Sequence, residues 1–234
     1  ESDNWAILRG AESMRRKGMH VISSTVEHDA VRKSLDELER LGYEVTRLQP
    51  DEKGAVSVES VKNALRKDTI LVSLMMVNNE TGALYDLKSA FSLAKQRNPQ
   101  VTTHCDAIQG FMKCRFTPAS LGADLISVSA HKVHGPKGVG ALYISPRLKS
   151  FPPMIHGGGQ ENGFRSGTEA MPAILGFGAA CAALASNIKA DIASEKALLD
   201  DLVASLSNLK NVRINGCHEA PHILNLSIHG VPTQ

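Results

Sequence analysis

Residues 20–48 read HVISSTVEHDAVRKSLDELERLGYEVTRL, and the change of period inside this stretch decides the fold. His20-Val21-Ile22-Ser23-Ser24 is short and mostly apolar, as a buried strand is. From Asp29 onward the apolar residues fall at Val31, Leu35, Leu38 and Leu41, a helical spacing that predicts a helix over 29–41. Gly42 stops that helix, and Tyr43 to Leu48 alternates as a second strand.

The same unit repeats in both directions from here. Residues 5–17 read as a helix whose basic end (Arg15, Arg16, Lys17) runs into Gly18. Downstream, helix is expected over 57–66 and 86–96, and strand over 69–76, 101–105, 124–129 and 139–144. Strands alternating with helices at this spacing predict an α/β domain: a mostly parallel sheet with helices on both faces. From about Glu169 the texture turns to Ala-rich helix, then to a charged amphipathic helix reaching about Leu209. Two strand-like stretches, 211–215 and 222–229, follow. The expected division is a large domain over 1–185 and, over 186–234, a connecting helix with the start of a smaller α+β domain.

Composition narrows the function classes. The chain has 234 residues, 42% hydrophobic and 21% charged, with a formal net charge of +2. That balance is too even for a nucleic-acid-binding surface. No membrane partner is expected, on the reading that no apolar run approaches the roughly 18 residues of a bilayer span. Cys105, Cys114, Cys181 and Cys217 are widely spaced, which reads as reduced thiols in a cytoplasmic compartment, or an organelle matrix if a targeting segment precedes Glu1. Cys217, His218 and His222 have a superficial metal-ligand look but no clear further ligands, so no metal is expected.

In an open α/β sheet the ligand sits beyond the carboxyl ends of the strands. Glu27 and His28, then Asn78, Asn79 and Glu80, then Asp106 and Gln109, and finally Ser129, His131 and Lys132 all follow predicted strands. A lysine at a buried strand end is partly desolvated, which favours the neutral, nucleophilic amine. Plainer readings stay open at two of these positions: Asp106 and His28 each precede or open a helix and suit a capping role.

The segment Ser129-Ala130-His131-Lys132-Val133-His134-Gly135-Pro136-Lys137-Gly138-Val139-Gly140 resembles the Schiff-base lysine segment of the cysteine desulfurases, in the class V aminotransferase group of fold-type I pyridoxal-phosphate enzymes. Thr25-Val26-Glu27-His28, Met76 to Gly82, Cys105-Asp106-Ala107-Ile108-Gln109 and His156 to Thr168 match the same family in the same order. The resemblance implies pyridoxal 5'-phosphate bound covalently at Lys132, which also moves protons at the substrate's α-carbon. It implies Asp106 at the pyridine nitrogen, His28 stacked on the ring as an acid/base, Gln109 at the phenolic oxygen and Asn79 orienting substrate or cofactor. Ser129 and His131 would hold the phosphate, Thr168 would reach the phosphate of the other subunit of a homodimer, and Arg165 would support that loop.

The implied reaction converts L-cysteine to L-alanine and passes sulfur to an acceptor or scaffold protein for iron–sulfur cluster or thio-cofactor assembly. Two elements of the family pattern are not found: the Gly-Ala-Thr-type phosphate turn expected before Glu1, and the cysteine-bearing loop expected after Gln234. The chain is therefore expected to be a fragment that lacks both ends and, without that cysteine, does not transfer sulfur. The competing readings are a selenocysteine lyase-like enzyme and a non-catalytic truncated homologue that only dimerises and binds.

Overall fold

The computed structural model describes residues 1–232. Its centre is a six-stranded sheet made of β1 (His20–Ser24), β2 (Glu44–Leu48), β3 (Thr69–Met75), β4 (Thr102–Asp106), β5 (Leu125–Ser129) and β6 (Gly140–Ile144), in the order β2-β1-β3-β4-β5-β6. The first five strands are parallel and β6 closes the edge antiparallel to β5. β1, β3 and β4 are buried along their whole length, as central strands covered on both faces must be.

Alternation along each strand assigns the two faces. Ile22, Val72 and Leu74 pack against Val61 of α4 (Val58–Ala64) and Ala90, Phe91 and Ala94 of α5 (Leu87–Arg97). Val21 and Leu71 point the other way, onto Val31, Leu35 and Leu38 of α3 (Asp29–Arg40) and onto Ile7 and Ala11. The α/β class with helices on both faces is therefore the one expected, and each boundary of these six strands lies within a residue of its predicted place.

The first helix differs from expectation. It starts at Ser2, not Trp5, and runs as α1 (Ser2–Asn4), a π-helical turn (Trp5–Arg9) and α2 (Gly10–Met14). The wide π-turn breaks the 3.6-residue period, and the first turn is polar, so apolar spacing does not mark the helix start. Asp3 is buried as a result.

After the one-turn helix α6 (Pro118–Leu121), the two helices expected after Glu169 are one, α7 (Met171–Leu206), about 54 Å long at 1.5 Å per residue. The junction expected at 185/186 lies inside it. α7 leads to an antiparallel hairpin of β7 (Val212–Asn215) and β8 (Asn225–Ile228). α7 also corrects the reading of apolar runs. Residues 170–188 carry no charge, and an 18-residue window of the helix has mean hydropathy 1.5 with none of it buried. By length and composition it is able to cross a bilayer. Its N-terminal part instead lies beside the sheet domain, with Phe177 edge-on to Phe111 at 6.1 Å between centroids.

Gly140 pairs with Ser129 where β6 meets β5, and a Cβ there would lie 2.6 Å from the Val128 carbonyl oxygen. Because the obstacle is backbone, Gly140→Ala must push β6 away from β5. The expected cost is ~1–3 kcal/mol, read as a lower urea midpoint than wild type. An unchanged midpoint would show that the edge strand yields freely.

Candidate active site

Seven of the eight residues expected at the site converge on one cleft of about 960 Å³ at the carboxyl edge of the sheet: His28, Asn79, Asp106, Gln109, Ser129, His131 and Lys132. Thr168 is not among its lining residues and lies exposed on the loop before α7. A second groove of about 770 Å³, lined chiefly by apolar side chains such as Phe111, Phe116, Ile126 and Ile188, gathers no comparable set of polar groups.

Local structure explains each placement. After β5 the chain makes a single 3-10 turn, Ala130–Lys132, closed by the amides of Val133 and Gly135 donating to the Ala130 carbonyl, both at 2.9 Å. His134 then takes φ +61°, so the chain leaves the edge at once and Lys132 stays half-buried at the cleft wall. Beside it Ser129 Oγ and His131 Nδ1 are 2.7 Å apart. Partial burial and then the nearby charges of Lys132, Lys137 and His28 hold the His131 pKa below its ordinary value. This corner is electropositive and rich in donors, which suits a phosphate.

His28 does cap α3, as its plainer reading had it, and it lines the cleft as well. Its Nδ1 accepts the Ala30 amide at 3.1 Å, which leaves the ring proton on Nε2. Asn78 is spent on its own turn, accepting the amides of Glu80 and Thr81 at 2.9 Å, so that Asn79 is the amide at the cleft. Asp106 Oδ1 accepts the Ile108 amide at 2.9 Å, which closes the turn after β4; no helix begins there, so the helix cap of its plainer reading does not form, and the residue faces the site. Burial pushes the Asp106 carboxyl well above the usual carboxylate range, and the neighbouring Asp3 and Glu27 push it the same way. Arg165 ties its loop to the first turn of the chain: Nε and Nη2 donate to the two carboxylate oxygens of Glu1 at 2.9 and 3.3 Å.

Glu27 is fully buried, accepting from Ser24 Oγ at 2.6 Å and from the Met75 amide at 3.3 Å. Desolvation raises its pKa to about 8 against the lowering effect of those bonds. A folded-state pKa above the unfolded one means that the native state holds the extra proton. Stability is then greatest below about 4.5 and falls as pH rises towards 8. Glu27→Gln keeps the acceptor without the titration. It is expected to match wild type near pH 5 and exceed it near pH 8 by a few kcal/mol, at roughly 1.4 kcal/mol per tenfold change in proton affinity. Thermal melts of both proteins at the two pH values check this; a gap that does not depend on pH would refute it.

Asp3 is the site residue that sequence reasoning missed. It lines the cleft from the first turn of α1, and its Oδ1 finds no hydrogen-bond partner among the described residues. The available signal was the run Glu1-Ser2-Asp3-Asn4 ahead of an apolar helix, which marks a polar end but not a buried one.

A pattern for the aminotransferase class-V family matches residues 1–234. The chain belongs to that family. Among curated family relatives, cysteine desulfurase IscS of Pseudomonas putida is 46% identical over 235 residues, covering 99% of this chain and 57% of the relative. Its counterpart in Colwellia psychrerythraea is 41% identical, covering 97% and 56%. Of solved structures, a NifS-like protein superposes with a TM-score of 0.93 at 34% identity, over 98% of this chain and 63% of the other. DndA from Streptomyces lividans gives 0.88 at 36%, over 99% and 66%. The chain thus spans a little over half the length of the curated relatives it matches.

Proposed function

We propose that this chain is the cofactor-binding part of a cysteine desulfurase that uses pyridoxal 5'-phosphate attached at Lys132. The observation that carries this is the convergence of Lys132, Asp106, His28, Gln109 and the Ser129–His131 pair on one cleft of a class-V fold. The donor set fits the group: a buried acid for a ring nitrogen, a half-buried amine for an aldehyde, an amide for a phenolic oxygen, and a hydroxyl and imidazole beside lysines for a phosphate. When bound, pyridoxal phosphate supplies an electron sink for the substrate's α-carbon.

The chain's own groups supply the rest. Lys132 Nζ takes the proton from the α-carbon of L-cysteine and returns one as L-alanine forms. His28 offers Nε2 at the rim for proton exchange, with its ring direction fixed by the Ala30 amide. Asp106 answers the charge of the ring nitrogen. The substrate Cβ–S bond breaks as a thiol forms an S–S bond to the same sulfur, giving alanine and a persulfide. None of the four cysteines lines the cleft, so on this reading the accepting thiol comes from another segment or a partner protein. On this reading Thr168, exposed between the cleft-lining Gly167 and Glu169, is the residue that reaches a second subunit in a homodimer, where it helps hold that subunit's phosphate.

The test is the protein supplied with pyridoxal phosphate, L-cysteine and a thiol. Stoichiometric alanine and sulfane sulfur are expected, and faster turnover of L-selenocysteine with no turnover of L-cysteine would replace this reading with a selenocysteine lyase.

A further inference from the structure

Asn79 reaches the cleft from a turn that is held from two sides. On one side is Asn78, whose Nδ2 donates to the Val26 carbonyl at 3.2 Å, two residues ahead of His28. Within the turn Asn78 Oδ1 accepts the Glu80 amide at 2.9 Å, and the Asn78 carbonyl accepts the Gly82 amide at 3.0 Å. Asn79 is half-buried and its own side chain makes no hydrogen bond among the described residues, so its direction depends on its neighbours.

On the other side is the loop of the β7–β8 hairpin. Asn215 and Asn225 are the register pair that closes the hairpin before this loop. Asn215 Nδ2 donates to Asn225 Oδ1 at 2.8 Å, which leaves Asn225 Nδ2 to donate to the Glu80 carbonyl at 3.2 Å. Glu80 is thus held at both its N–H and its C=O. The loop backbone follows the same turn: the Ala220 amide donates to the Gly82 carbonyl at 3.0 Å, and Glu219 Oε2 accepts the Leu84 amide at 3.1 Å. The approach is close enough to require glycine. A Cβ at Gly82, where φ is +72°, would lie 3.1 Å from the Ile223 carbonyl oxygen.

We propose that Asn225 is a positioning residue for the active site: from the hairpin it fixes Glu80, and through Glu80 the direction in which Asn79 points into the cleft. This rests on the cofactor reading above and adds to it a residue from outside the sheet domain. Asn225 does not line the cleft, so its effect on binding passes through Asn79. Asn225→Asp isolates the bond. The retained Oδ1 still accepts from Asn215, while the second oxygen faces the Glu80 carbonyl with no proton to donate.

The experiment follows the visible band of the protein as pyridoxal 5'-phosphate is titrated in, and then the change in that band as L-alanine is titrated in. Each titration gives a dissociation constant for wild type, Asn79→Ala, Asn225→Asp and the double variant. N79A is expected to raise at least one of the two constants. N225D is expected to raise the same one by roughly three- to tenfold, the effect of one lost hydrogen bond. The double variant is expected to bind as N79A does, because the amide that Asn225 positions is already gone. A merely structural Asn225 would weaken binding by the same factor with or without the Asn79 amide, and that result overturns the proposal. So does N225D or N79A equal to wild type in both titrations. A wild type that develops no band overturns the cofactor reading instead, and this proposal falls with it. Should N225D not fold, as judged by circular dichroism, Asn225→Ser, too short to reach Glu80, is read in the same way.

Discussion

Lys132→Ala is expected to abolish the visible absorption band that the protein develops with pyridoxal phosphate and that borohydride bleaches, and with it all alanine formation from cysteine. The reason is that no other amine has the same place. Lys132 alone among the cleft-lining residues is a lysine. The 3-10 turn Ala130–Lys132 and the left-handed His134 hold it at the wall, so a neighbouring lysine such as Lys137 cannot take over without rebuilding that turn. Loss of a positioned proton carrier alone costs ~10²–10⁴-fold in rate, and loss of the covalent anchor adds to that. Because Lys132 is only half-buried and makes no side-chain hydrogen bond among those described, the variant is expected to unfold at close to the wild-type temperature. A retained bleachable band would move the attachment point elsewhere and overturn the assignment.

The second large effect is expected at Asp106. Asp106→Asn keeps the side-chain oxygen that accepts the Ile108 amide, and with it the turn at the end of β4. It removes the charge that answers the ring nitrogen. The band should therefore still form with Lys132, while alanine formation falls by on the order of 10²–10³-fold, the loss typical of one preorganised electrostatic contact. Stability should move the other way as pH rises. Wild-type Asp106 has a raised folded-state pKa, so the wild-type protein loses stability above the unfolded pKa, and the amide does not titrate. Activity equal to wild type would remove Asp106 from the site; loss of the band would make it a structural residue.

Much of this was legible in the chain itself. Val31, Leu35 and Leu38 at helical spacing, followed by Gly42, place α3 because amphipathic period and a helix stop are local properties. The C-terminal-edge rule then put His28, Asp106 and Lys132 at one place before any contact was known. The failures have local causes too. The π-turn at Trp5–Arg9 shifted the helix register, so Asp3 was read as lying outside a helix that it helps to begin. The uncharged run 170–188 was read only as Ala-rich helix, since a helix signal does not distinguish a helix on a sheet from one long enough for a bilayer.

The sequence by itself determined the strand–helix alternation, the strand ends that carry polar groups, and the family, since each depends on residue type and order along the chain. Only the tertiary structure decided that Asp3, Glu27 and Asp106 are buried as neighbours, that His104 is held by Ser73 and Ser127, and that Arg165 closes on Glu1. These pairings join residues that lie from about 20 to over 160 positions apart, and their energetics depend on burial and distance. Neither quantity is a property of the residues taken in order; both arise when a parallel sheet sets its strand ends side by side and a helix covers the face beneath them.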